Sequence, residues 1–168
     1  MSKVAKFVVI INDNVIWMEE KALKFYSDLF GSAKETGEKY AQENLSSQKL
    51  FKIQNDFSIE VLMAYEAENP LSFMKLNSSR LTNQNLGANK AIGVYHIVYF
   101  NPEDLIALFK RAEEVALQRK HDLIWVKAFE IDTALIATLK SLGYQEFNYE
   151  NDSTLDTDQK QLYFKKSV

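Results

Sequence analysis

Leu123-Ile124-Trp125-Val126-Lys127-Ala128-Phe129, followed by Glu130 to Leu142 and then Gly143-Tyr144, is the stretch that decides the fold. Six of its first seven residues are apolar, and they are mostly branched or aromatic, which is the pattern of a buried strand. A helix through Leu142 follows, Gly143 stops it, and Tyr144 begins the next strand. The segment therefore reads as a βαβ unit.

Upstream, Gly93 to Phe100 is a second strand rich in aromatic and β-branched residues. The helix after it is well marked. Asn101 suits the N-cap, Pro102 the first helical position, and Glu103 and Asp104 complement the dipole. Leu105, Phe109, Ala112 and Ala116 define its buried face. Residues 77–90 are rich in Asn, Ser and Thr and read as a surface loop. Before them, Phe57 to Tyr65 alternates Phe57, Ile59, Val61 and Met63, a strand with one buried face. Glu66 to Pro70 turns it back into Leu71 to Leu76.

The N-terminal third begins with a strand over Phe7 to Ile11 and a turn at Asn12-Asp13-Asn14. Met18 to Phe30 has helical spacing with Gly31 as its stop. Glu35 to Asn44 reads either as a second helix or as a segment ordered only in part. Ser46 or Ser47 caps a short helix through Phe51 and Ile53. Tyr144 to Tyr149 and Gln161 to Phe164 close the chain as an antiparallel pair. The order is a mixed α/β pattern, neither doubly wound nor a barrel.

Composition narrows the function classes. The chain has 168 residues, 46% hydrophobic and 26% charged, with a net charge of −3. That is the profile of one globular domain spanning residues 1–168. No long basic run is present, so neither nucleic acid nor an anionic membrane is the expected partner. The absence of cysteine excludes disulfides, thiolate metal sites and cysteine nucleophiles. The Phe7 to Ile11 run is too short for a signal-peptide core or a membrane span, and the cytoplasm is the expected location.

Four pieces of residues 73–168 carry a family resemblance: Phe73-Met74-Lys75-Leu76-Asn77, Tyr95-His96-Ile97-Val98-Tyr99, Ile124-Trp125, and Ala137-x-x-Lys140-x-Leu142-Gly143-Tyr144. In their order and spacing the chain resembles the GNAT acyl-CoA N-acyltransferases, most of all the small-amine (polyamine-type) enzymes. The resemblance implies the GNAT-like α/β (α+β mixed) fold, a mixed six- to seven-stranded sheet flanked by helices. It also implies acetyl-CoA and transfer to an amine. The family holds the CoA pyrophosphate on a Gly-rich loop at a helix N-terminus. A carboxylate or a water chain takes the amine proton, and a Tyr on the last helix protonates the thiolate.

The chain departs from that pattern at each point. Phe100-Asn101-Pro102-Glu103-Asp104-Leu105 contains no glycine and runs about four residues shorter than the resemblance requires. Asn101 as cap consumes an amide donor and Pro102 has none. Glu103 and Asp104 place negative charge where an anion should sit, at roughly 3 kcal/mol per contact for ~5 Å and an effective dielectric of ~20. The family carboxylate falls at Tyr95, the neighbouring Arg at His96, the Asn opening the last helix at Asp132, and the acid Tyr at Leu139.

The expectation is a GNAT-fold protein with a degraded acetyl-CoA site, no cofactor, and action by binding through the former cleft or a homodimer face. One alternative is an active acetyl-CoA-dependent N-acetyltransferase with an atypical loop, proton transfer using water or Tyr99. Another is a structural subunit of a dimer. Catalytic candidates are Tyr95, His96 and Tyr99. Cofactor contacts, if any, fall at Ile97, Val98, Tyr99, Asn101, Leu105 and Asp132. Tyr95 and His96 are expected on opposite faces of their strand. His121, beside Asp122, is expected as a charge partner for a helix C-terminus. Gln84-Asn85-Leu86-Gly87-Ala88-Asn89 reads as a surface turn, since a strand and no helix follows it. Asp156-x-Asp158 lacks a third ligand, so no metal is expected.

Overall fold

The computed structural model describes residues 2–79, 88–149 and 159–168. The segment Gln84 to Gly87 and the Asp156-x-Asp158 pair lie outside the described residues.

Seven strands form one mixed sheet. They are β1 (Lys3–Val8), β2 (Ile59–Glu66), β3 (Asn69–Asn77), β4 (Ala91–Val98), β5 (Leu123–Phe129), β6 (Gln145–Phe147) and β7 (Gln161–Ser167), in the order β1-β2-β3-β4-β5-β7-β6. Every neighbouring pair is antiparallel except β4 with β5. A parallel pair needs a crossover. The helix Pro102–Gln118 supplies it, lying across β1, β2, β3 and β5. In chain order the helices are α1 (Asn12–Leu29), α2 (Lys34–Leu45), α3 (Ser47–Ile53), α4 (Pro102–Gln118) and α5 (Thr133–Ser141). Val61 to Ala64 on β2 and Leu123 to Val126 on β5 are buried at consecutive positions, so both faces are covered there, the Leu123 and Trp125 face of β5 by Tyr95, Phe147 and Tyr149 and not by a helix. The largest fully buried side chains include Phe73, Phe109, Phe164 and Met18, each contributing roughly 2–3 kcal/mol by removal from water.

Several local expectations change. Strand β1 ends at Val8, and Asn12 starts helix α1 where a turn was expected. Asn14 explains this: its Oδ1 accepts from the Ile11 N–H at 3.0 Å and its Nδ2 donates to the Val9 carbonyl at 2.8 Å. Those bonds satisfy the helix entry with residues that otherwise favour turns. Residues 35–44 belong to an ordered helix, α2. Gly37 lets it approach α1, since a Cβ there would lie 2.2 Å from the Tyr26 carbonyl oxygen. Phe57 is 98% exposed and outside β2, so the alternating buried face begins only at Ile59 and then gives way to burial on both faces. Pro70 lies within β3, and its missing N–H is absorbed by a register shift at Ala64/Tyr65 opposite it.

His121 is 5% exposed. Burial, with Lys90 next, pushes its imidazole below the usual range. It is therefore a neutral buried side chain and not the expected charge partner for the end of α4.

Gly93 on β4 fixes how β5 packs. A Cβ there would lie 2.1 Å from Trp125 Cζ2, so the indole lies directly over the β4 backbone and stacks on Tyr95 with an interplanar angle of 4°. Gly93→Ala is expected to cost roughly 2–3 kcal/mol by overpacking, a fall in melting temperature of about 5–10 °C. Thermal unfolding of Gly93→Ala, Trp125→Leu and the double variant checks this. The double should lose less than the sum of the singles, and strict additivity would show the contact is not limiting.

Candidate functional site: the opening between β4 and β5

Strands β4 and β5 pair only from Ala91↔Leu123 to Val94↔Val126. Beyond Val94, β4 stays on β3 while β5 stays on β7 through Phe129. The register between β3 and β4 shifts between Phe73 and Lys75, and His96 takes φ +53°, a left-handed backbone rare for a non-glycine residue. The bulge overturns the expected alternation. Tyr95 and His96 line the same cavity with ring centroids 4.7 Å apart, because the left-handed residue rotates the strand out of its two-residue period. The cavity encloses about 160 Å³ between Tyr26, Tyr40, Asn44, Tyr95, His96, Ile97, Lys127, Ala128, Phe129, Asp132, Leu135 and Gln161.

His96 Nδ1 is buried and makes no hydrogen bond among the described residues. Burial first, then the charges of Lys75 and Lys127, hold the imidazole neutral, well below its usual range. Beside it, the Tyr95 hydroxyl accepts from Asn77 Nδ2 at 3.0 Å, and burial raises its pKa. Lys75, on β3 behind this wall, is 4% exposed. Its Nζ donates to the Asn44 carbonyl at 3.4 Å and lies 5.9 Å from the Tyr95 ring centre. Burial, then Lys49, lowers its pKa to about 8. No described carboxylate lies within ion-pair distance of it.

Across the opening, Tyr99 at the end of β4 donates its hydroxyl proton to Asp132 Oδ1, and the same oxygen accepts from Leu135 N at 3.4 Å to cap α5. This clasp joins the two elements that the strand divergence separates. Burial raises the Asp132 carboxyl, while Tyr99 and Leu135 oppose that rise. Burial and the adjacent carboxylate push the Tyr99 phenol well above its usual range.

The opening and the helix start fit an acyl-CoA unequally. From Tyr95 to Val98, β4 has no ladder partner on its β5 side, which suits an extended amide-bearing arm. At the start of α4, Asn101 Oδ1 takes the Glu103 N–H at 3.0 Å and the Asn101 carbonyl takes the Asp104 N–H at 2.9 Å. Pro102 has no N–H. That first turn does not fit a pyrophosphate. The two acids at the start of α4 are not equivalent. Asp104 is 2% exposed and pairs with Lys3 on β1 at 2.9 Å, so of the two acids only Glu103 projects outward at the helix start.

Of the sequence-predicted residues, Tyr95, His96, Ile97 and Asp132 meet at the cavity and Tyr99 closes its far side. Val98 and Leu105 are fully buried in the core, Asn101 is occupied as a cap, and Leu139 is fully enclosed. Sequence reading missed Lys75, Tyr26 and Tyr40 as site residues. Lys75 carried one signal, a lysine between buried positions of a strand. The helical tyrosines carried none, since their spacing is that of an ordinary core face.

No model of a known protein family matches the chain, and no curated protein does. Solved structures do. The PaiA N-acetyltransferase from Thermoplasma acidophilum, in complex with coenzyme A, superposes with TM-score 0.73 at 14% identity over 100% of both chains. A GCN5-related N-acetyltransferase from Rhodopseudomonas palustris gives 0.72 at 13%, over 100% of this chain and 97% of that one. A probable acetyltransferase from Staphylococcus epidermidis gives 0.70 at 10%, over 99% of each. The fold is that of the GNAT N-acetyltransferases. The expectation of no cofactor is corrected here: the Thermoplasma protein carries coenzyme A on a fold this chain matches end to end. The physical reason is that β4 has a free edge beside β5 beyond Val94, whereas the sequence shows only a strand–helix junction without glycine. No helix among the described residues is long and apolar enough to cross a membrane.

The buried ammonium of Lys75 gives the site a pH signature. Its pKa is about 8 folded against 10.5 unfolded, so between those values the unfolded chain binds more protons and stability rises with pH. Lys75→Met should stabilise the protein at pH 7 by up to roughly 3 kcal/mol, with the advantage fading as pH rises from 8 towards 10.5. Urea unfolding of both proteins across that range checks it; a pH-independent difference would contradict it.

Proposed function

We propose that this chain is an acetyl-CoA-dependent N-acetyltransferase for a small amine, with the opening between β4 and β5 as its active site and residues 1–168 as one domain. One core running from Ala5 to Phe164 supports the domain reading. The observation that carries the functional reading is His96: a left-handed backbone, a buried Nδ1 without a hydrogen-bond partner among the described residues, and a place on the cavity wall where the strands part. Strain and an unsatisfied polar atom together are features that persist at working sites.

Bound acetyl-CoA would supply the thioester acetyl group. Tyr95 to Val98 would align its arm along the free side of β4. His96 Nδ1 takes the proton lost by the attacking amine, and Tyr26, Tyr40 and Phe129 wall the acceptor from bulk water. Tyr99 is engaged with Asp132, so its proton serves the clasp and not the leaving group. A second reading, favoured by the occupied helix start and by Leu139, has the same cleft bind acetyl-CoA without turning it over.

Acetyl-CoA at ~100 times its dissociation constant should stabilise the chain by about 2.7 kcal/mol, a rise of several degrees in melting temperature. His96→Gln should retain that rise and lose at least 100-fold in acetyl transfer. No saturable shift would sink both readings, and a shift without turnover would select the second. The rate should also climb with pH through about 8. Lys75, beside Lys49, there loses the charge that, with Lys127, keeps His96 a weak base. In Lys75→Met that limb should vanish from the pH profile.

A further inference from the structure

Strand β1 is one margin of the sheet, and among the described residues β2 is its only ladder partner. No hydrogen bond among those residues reaches the other side of its backbone between Lys3 and Val8. A groove of about 410 Å³ runs along that free edge. Lys3, Val4, Ala5 and Lys6 form one wall of it, and no residue of β2 takes part. Four consecutive strand residues line one groove only from the strand's edge, since alternate side chains leave by opposite faces. The other wall is Ala107, Lys110, Arg111 and Glu114, a single stripe of α4 at helical spacing. The short side chains of Ala5 and Ala107 leave room between the walls. The charge on them is mostly positive. Lys3 is answered by Asp104 and Glu103, and Arg111 by Glu114. Lys6 and Lys110 pair with no carboxylate among the described residues, and Lys6 Nζ lies 4.5 Å from the Tyr65 ring centre.

We propose that this groove takes an extended acidic segment of another protein, which pairs with β1 as a further strand of the sheet. The unused N–H and C=O groups along the six residues of β1 supply the ladder, over roughly 20 Å. Lys110 on the helix side and Lys6 on the strand side meet the carboxylates of the segment. Val4, 57% exposed, offers an apolar contact between them. Charge selects the occupant. A second copy pairing β1 with β1 would bring the Lys3 and Lys6 of each against those of the other, and lysines on an edge strand oppose such self-pairing. An acidic strand meets no such penalty. None of the groove's residues lines the opening between β4 and β5, so this docking surface stands apart from the acetyl-transfer reading.

The test uses the full chain and fluorescent hexapeptides, with binding read by anisotropy. The probes are alternating glutamate–valine, the same peptide N-methylated at all its valines or at all its glutamates, and alternating lysine–valine. The glutamate–valine peptide should bind at least tenfold more tightly than the lysine–valine one. One of the two methylated forms should also lose at least tenfold, because only alternate N–H groups of a strand face a given neighbour. Hydrogen exchange should slow at amides between Lys3 and Val8. Lys110→Glu should weaken binding at least tenfold while Lys110→Arg keeps it, with melting temperature as the check on folding. If both methylated forms bind as tightly as the parent, or if hexathymidylate competes equally well, the groove is a general anion surface and the proposal is wrong. Absence of binding overturns it outright, and dimers by light scattering with protected β1 amides would then make a second copy the occupant.

Discussion

The parting of β4 from β5 after Val94 and Val126 is the constraint on which the rest of the molecule depends. Two parallel strands held at both margins by antiparallel neighbours would ordinarily stay paired along their length. Here a register shift beside β3 and the left-handed His96 turn β4 away, while β5 follows β7. The gap removes ladder hydrogen bonds and leaves polar backbone on a free strand edge inside the protein, a cost that a ligand lying along the edge would offset. The crossover helix α4 cannot fill it, because α4 is committed to β1, β2, β3 and β5. The aromatic side chains of α1 and α2 form one wall, and the Tyr99–Asp132 bond ties the other together.

The charges within the gap follow the same geometry. Burial weakens every ionised form there, so His96 is neutral, Asp132 retains its proton more readily, and Lys75 loses its own near pH 8. Such perturbed groups around a cavity mark working sites more often than structural ones. The helix start shows the opposite economy. Asn101 and Pro102 satisfy or remove the amide donors of the first turn, and Lys3 neutralises Asp104 from an adjoining strand. The first turn of that helix is self-sufficient, while the neighbouring edge of β4 stays free.

Much of the fold was legible from local pattern. The run Leu123–Phe129, the cap at Asn101-Pro102 and the stop at Gly143 each reflect a physical preference that acts over a few residues, and each holds in the structure. The errors fall where a longer-range contact decides. Asn12 to Asn14 opens a helix because Asn14 finds two backbone partners. Phe57 lies outside its strand and in solvent.

What the sequence by itself determined is the order and type of the elements; the GNAT kind of sheet was legible only as a resemblance carried by four short pieces of residues 73–168. Periodicity and capping are local and survive in a linear string. What only the tertiary structure decided is the site. Alternation along β4 sends Tyr95 and His96 to opposite faces, and a bulge defined by pairing with β3 brings them to one. Lys75 is twenty-one residues from His96 in sequence, and that no carboxylate among the described residues pairs with it is a fact about what folds around it. Burial, pairing register and the absence of a partner are properties of surroundings, and no single stretch of sequence contains them.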